Sequence, residues 1–269
     1  MMSRPTTFGS APFPRVTRGQ KGFTLIELLV VMAVIGLMAA ILLPALNKAK
    51  EQGKATVCRS NMKQIALGFL MYAEDNEEIL PWPGGQPSRA VTSKQYNTDW
   101  CFGGQASLDP NLASSWVVPG FGFNAECVSV FPYVLSQPRM EYDPEYKESS
   151  DVYRCPSAGR LGEALRVNFA ANGWLDPGKP FGVAGKVPPT GVMTTSVIDP
   201  ARKVLLINEE PTRYTLSPAF IPGNLSRKAQ LHLGRANVAF IDGHMESVLG
   251  NTFQQMQGQN SQIYFNCGR

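Results

Sequence analysis

The sequence predicts an α+β protein, with one long N-terminal helix, apolar in its first half, packed on an antiparallel β-sheet. Three observations carry that expectation. Phe23 to Leu46 is an apolar run whose only charge is Glu27. Met62, Ile65, Phe69 and Tyr72 or Ala73 recur at the three- and four-residue spacing of a buried helical stripe. Toward the C-terminus, residues 202–208 (RKVLLIN) read as a buried strand, and Asn237–Ile241 with His244–Val248 read as a hairpin about Asp242-Gly243.

Composition sets the bounds. A chain of 269 residues has room for one ordinary domain plus an accessory segment, or for two small domains. With 43% hydrophobic and 17% charged residues it is globular rather than disordered or collagenous. The formal charge of +4 is small, and much of it precedes residue 70, where Arg15, Arg18, Lys21, Lys48, Lys50 and Lys54 flank the apolar run. Basic residues in that position address a membrane, so no nucleic-acid partner is expected.

The apolar run is the first element. At about 1.5 Å per residue it spans a hydrocarbon core of about 30 Å. Leu, Met, Ala and Ile favour a helix; Gly36 is tolerated in lipid, and Pro44 falls near the far end. A cleaved signal peptide fits poorly, because Leu43-Pro44-Ala45-Leu46-Asn47 lacks the small-residue pattern of a cleavage site. A plain signal anchor explains the apolarity but gives no reason for Glu27, which costs up to about 3 kcal/mol near a bilayer centre. Past Pro44 the helix continues to about Asn76 and becomes amphipathic, so its second half should dock on the head.

The middle of the chain is rich in Gly, Pro and aromatics, including Trp82, Trp100, Trp116, Phe121, Phe123, Phe131 and Tyr133. Aromatics on loops can form a recognition surface, but self-packing within an irregular head is the simpler expectation. In the hairpin, Asp-Gly suits a two-residue type I′ turn. That register puts Phe240 opposite Met245 and Val238 opposite Ser247 on one face. Ile241 then faces His244, and Ala239 faces Glu246, on the other.

Gly22-Phe23-Thr24-Leu25-Ile26-Glu27, after a basic leader, resembles the cleavage motif of type IV prepilins and type II secretion pseudopilins. The resemblance implies that a prepilin peptidase/methyltransferase cuts after Gly22 and methylates the new amine of Phe23. It also makes Glu27 the fifth mature residue, an acid that pairs with such an amine during filament assembly. A buried carboxylate needs a cationic partner, so Glu27 reads as an assembly selector. Cys58 to Ile65, Met71 to Asn76, Tyr153-Arg154-Cys155-Pro156-Ser157 and Asn172-Gly173-Trp174 resemble a large pseudopilin-like group. That group also carries a C-terminal H-x9-D-G element, here His232 followed by Asp242-Gly243.

The organisation so implied is pilin-like: residues 1–22 a cleaved cytoplasmic leader, 23–46 the membrane and assembly half of the helix, 47–76 its amphipathic half, and 77–269 a periplasmic head with its hairpin at 232–248. The expected setting is the bacterial inner membrane, in a single pass. The expected partners are membrane lipid, like or unlike filament subunits and the secretion machinery. The competing reading is a signal-anchored binding or enzymatic head that never polymerises.

Catalytic and metal chemistry find little support in the sequence. His232 and His244 are the two histidines, and Asp242, His244 and Glu246 alternate along a strand. With His232 they are the candidate ligands for calcium or another divalent ion, although no cofactor is expected. A turn aspartate is already explained by turn geometry, and His232 reads as a hydrogen-bonding tie between its loop and the hairpin. No G-x-S-x-G, H-E-x-x-H or P-loop sequence occurs, and Glu209-Glu210 would point apart on a strand. Asn224-Leu225-Ser226 is a chance sequon. Cys58, Cys101, Cys127, Cys155 and Cys267 form no C-x-x-C pair, and in an exported head one or two disulfides are expected without an assignable pairing.

Overall fold

The computed structural model describes residues 23–83, 99–104, 122–140, 150–176, 191–210, 219–220, 230–258 and 260–267. Gly22, Trp116, Phe121 and the 224–226 sequon lie outside them. The chain divides into two compact units, one ending at Asn47 and the other beginning at Lys48. Helix α1 (Leu25–Asp75) crosses that boundary, and Pro44 inside it withholds the amide that would bond the Ala40 carbonyl.

In the first unit the helix is exposed almost throughout, with Leu25 at 88% and Ile41 at 70% of full accessibility. It is long and apolar enough to cross a membrane, and none of that stretch is buried within the protein. Such a surface is stable only under lipid or neighbouring helices, since each large side chain left in water forgoes about 1.5–3 kcal/mol.

In the second unit the same helix becomes part of a core. Cys58, Met62, Ile65, Ala66 and Phe69 are fully buried, with Tyr72 and Ala73 nearly so. This is the stripe that the spacing predicts, extended one turn back to Cys58. Strands β3 (Phe169–Asn172), β4 (Val204–Asn208), β5 (Ala219–Phe220), β6 (Arg235–Phe240) and β7 (Met245–Leu249) form one sheet in the order β5-β3-β4-β6-β7. Four of them pair antiparallel, and β5 joins the edge parallel to β3. A short separate pair, β1 (Phe102–Gly104) and β2 (Gly122–Asn124), completes the strands among the described residues.

Both faces of the large sheet are covered. Leu205, Leu206, Ala171 and Ala239 pack with the buried stripe of α1. Val204, Ile207, Ala236, Val238 and Phe240 face the other way, onto Phe253 and Met256 of α4 (Gly250–Gln257) and Phe265 of α5 (Ser261–Phe265). These last helices are a layer that sequence reasoning missed. Burial on both sides explains why β4 is apolar without alternation. A bulge between Val204 and Leu206 lets two successive leucines face α1.

The hairpin differs from its expected form. Ala239 pairs with Met245, Val238 with Glu246 and Asn237 with Ser247, one residue out of the expected register. The Gly243 amide donates to the Phe240 carbonyl at 2.9 Å and the Phe240 amide donates to that of His244 at 3.0 Å. Gly243 has φ +84°, whereas neither Ile241 nor Asp242 has positive φ. This is a type I turn closed by a glycine bulge, not a type I′ turn, which requires positive φ at both central residues. The slip has a packing consequence: Val238 and Phe240 face α4 and α5, while Met245 packs against the α1 side.

Trp82, Trp100 and Phe131 are buried, so these aromatics of the middle region serve the core. Leu80 and Gly191 are stitched together there, with the Gly191 amide donating to the Leu80 carbonyl at 3.1 Å. A methyl group at Gly191 would stand 2.3 Å from that same oxygen and 2.8 Å from Pro81 O. Because the obstacle is backbone, Gly191→Ala should cost about 1–3 kcal/mol, read as a lower melting temperature of the detergent-extracted protein. An unchanged melt would show that this crossing is loose.

Candidate functional site

The expected processing and assembly residues begin at Phe23, which is 81% exposed. Helix α1 starts two residues later, and Thr24 caps it. The Glu27 carboxylate accepts the Thr24 amide at 2.8 Å and its hydroxyl at 2.9 Å, while the Glu27 amide donates to the Thr24 hydroxyl at 3.3 Å. This is a reciprocal capping box, and its T-x-x-E signature was legible in Thr24-Leu25-Ile26-Glu27. Glu27 thus has a local task as well as the expected intersubunit one. Its carboxylate is turned toward the backbone nitrogen next to Phe23, where a cut after Gly22 would create a positive amine.

The hairpin residues do not form the metal set considered from the sequence. Asp242, His244 and Glu246 do meet, with His244 Nδ1 at 2.5 Å from Asp242 Oδ1 and Nε2 at 3.8 Å from Glu246 Oε1. Asp242 also accepts the His244 amide, and the His244 ring stacks on Phe240 at 4.2 Å, so turn chemistry and packing account for the group. His232 lies before the start of β6, whereas His244 lies after its end. The backbone of His232 pairs with Arg235 and so ties its loop to the first hairpin strand.

The His232 ring points elsewhere, into a cluster the sequence reading did not find. It is 3% exposed. Nε2 lies 3.3 Å from Cys155 Sγ and Nδ1 lies 3.1 Å from Glu51 Oε1 on α1. Cys58 of α1 completes the group, and the two sulfurs and a ring nitrogen lie within 4.8 Å of one another. Ser157 donates its hydroxyl to Glu51, and Lys54 approaches that carboxylate at 3.8 Å. No spacing in the chain signals this site, because its members come from three distant segments. What was visible was a Cys four residues before the predicted stripe, a Cys before Pro156, and a histidine read as a tie and as a candidate ligand beside the hairpin acids.

Electrostatics polarise the cluster. A hydrogen bond from Cys58, helped by the His232 ring and the Ser157 amide and opposed by burial, lowers Cys155 to about 5. The same bond, with burial, pushes Cys58 up. Burial opposes charge on His232, but Cys155 and then Glu51 raise it. Burial likewise works against the Glu51 carboxylate, yet its bonds to Ser157 and His232 hold it below the usual range.

A thiolate, an imidazole and a carboxylate in line suggest a nucleophile relay. The surroundings argue otherwise. The Cys155 amide, which would be a natural oxyanion donor, is committed to Asn168 Oδ1 at 3.0 Å. The sulfur is 4% exposed and already engaged by Cys58.

An apolar, membrane-length helix with one capped acid in its first turn, followed in sequence by an α+β globule, defines the class. Residues 17–43 match the prokaryotic N-terminal methylation motif. The chain is 35% identical over 92 residues to the type II secretion system core protein G of Pseudomonas aeruginosa, covering 30% of this chain and 62% of that protein. It is 42% identical over 59 residues to the type IV wide pilus major component PilA4 of Thermus thermophilus, covering 22% and 45%. It is 64% identical over 76 residues to a fimbrial protein of Dichelobacter nodosus, covering 28% and 46%. The chain thus spans between 45% and 62% of the length of these relatives. No solved structure matches it.

Proposed function

We propose that this chain is the precursor of a pseudopilin-like structural subunit. A prepilin peptidase/methyltransferase cuts between Gly22 and Phe23 and methylates the new amine. Residues 23–46 then hold the protein in the inner membrane in a single pass, with the leader cytoplasmic and the head periplasmic. Stacking of that helix against like or unlike subunits builds a filament of a type II secretion or type IV pilus-like system. The work is mechanical, and the secretion machinery is the partner that drives it.

One observation carries this reading: the methylation motif over 17–43 coincides with an exposed apolar helix whose first turn holds Glu27 in a capping box. A plain anchor accounts for the helix and its cap but not for the methylation motif. Intact-mass analysis of the membrane-extracted protein tests the first step. The expected chain begins at Phe23 and carries one added methyl group. A chain starting at Met1, or a Phe23 amine without the methyl, would overturn this reading.

A further inference from the structure

We propose that Cys58, Cys155 and His232 form a binding site for a thiophilic divalent cation, zinc in the first place, in which Glu51 positions the histidine. The proposal is independent of filament assembly and concerns the second unit alone.

Geometry is the first support. Tetrahedral zinc, with Zn–S about 2.3 Å and Zn–N about 2.0 Å, separates a sulfur from a nitrogen ligand by about 3.5 Å and two sulfurs by about 3.8 Å. The Cys155 Sγ to His232 Nε2 distance is 3.3 Å, and all three ligand atoms fall within 4.8 Å. An ion at the centre of this triangle needs only small side-chain adjustments.

The second support is what surrounds the ligands. His232 Nδ1 is held by Glu51, which is in turn held by Ser157. A carboxylate at Nδ1 keeps the proton on that nitrogen and leaves Nε2 to ligate once an incoming metal displaces its proton, the carboxylate–histidine arrangement that recurs behind metal-bound imidazoles. A disulfide between the two cysteines would need neither the histidine nor the carboxylate that holds it.

Two thiolates and an imidazole select zinc over calcium or magnesium, which take oxygen ligands. Three protein ligands leave a fourth position. Cys155 also borders a cavity of about 410 Å³, together with Asn61, Arg154 and Asn168. A bound ion would cross-link α1, the loop before α3 (Gly159–Leu165) and the segment before β6.

The test uses the full chain, extracted in detergent without chelator. About one zinc per chain is expected. Replacement by Co²⁺ should give the thiolate-to-cobalt charge-transfer absorption, a readout that needs no variant. Glu51→Gln keeps all three ligands and should weaken Zn²⁺ affinity about 10- to 100-fold in a competition titration with a chelating dye. Cys155→Ser should abolish stoichiometric binding, whereas Cys267→Ser should not. A metal-free chain lighter by two hydrogens, with Cys58 and Cys155 linked, would overturn the proposal. So would zinc whose stoichiometry is indifferent to Cys155→Ser, or a cobalt spectrum without the charge-transfer band.

Discussion

Replacing Glu27 with alanine should leave the chain processed and in the membrane but remove it from filaments. Insertion should not suffer, because taking a carboxylate out of an apolar span relieves a cost of up to about 3 kcal/mol. Assembly should suffer because the amine of Phe23 would then be packed among apolar helices without its counter-charge. Removing one partner of a buried ion pair costs about 3–5 kcal/mol, which at about 1.4 kcal/mol per decade is a loss of two to four orders of magnitude in incorporation. The capping box adds a sharper comparison. Glu27→Gln keeps an acceptor for the Thr24 amide, now at 2.8 Å, but carries no charge. Sheared filaments and membrane fractions, blotted for each variant, decide between the roles. Glutamine should fail as alanine does. A glutamine variant that incorporates normally beside a failing alanine variant would reduce Glu27 to a helix cap, and normal incorporation of both would end the selector idea.

Phe69→Ala should lower the melting temperature by about 10 °C. Phe69 is fully buried on the inner stripe of α1, and its ring lies 5.6 Å from that of Trp100. Truncating a buried phenylalanine costs about 3–5 kcal/mol through lost burial and the cavity left behind. A protein of this size moves about 2–4 °C per kcal/mol. Leu67, on the same helix but 43% exposed, is the control, and Leu67→Ala should shift the melt by no more than a degree or two. Equal shifts at the two positions would mean that the second half of α1 does not belong to the cooperative unit.

The parts of the fold that follow one repeating pattern were legible in the sequence. Met62, Ile65 and Phe69 announce a buried helix face, and Val204 to Ile207 announce a buried strand. Parts decided by a single conformational choice were not. Asp242-Gly243 is compatible with two hairpin turns, and only the sign of φ at Asp242 separates them, yet that choice shifted the register of the pair by one residue. Helix α4 escaped because its apolar contribution is sparse, with Phe253 and Met256 standing among Asn, Thr and Gln, and α5 because it is only five residues long. At the N-terminus the motif is contiguous, so it could be read directly. The Cys58–Cys155–His232 cluster is assembled by tertiary packing from three segments, none of which carries a spacing signal.

The packing of α1 also decides where the head can be separated from its anchor. Glu51 bonds His232, Asn61 donates to the Asp151 and Arg154 carbonyls, and Lys63 reaches the Gly243 carbonyl at 2.5 Å, all ahead of the fully buried Phe69. A truncation placed at the end of the helix, after Asp75, would therefore remove one wall of the folded body and leave an aggregating remnant. A soluble fragment that begins at Lys48 keeps every one of these ties and sheds only the lipid-seeking run, so the natural cut for crystallisation or binding work lies within the helix rather than at its end.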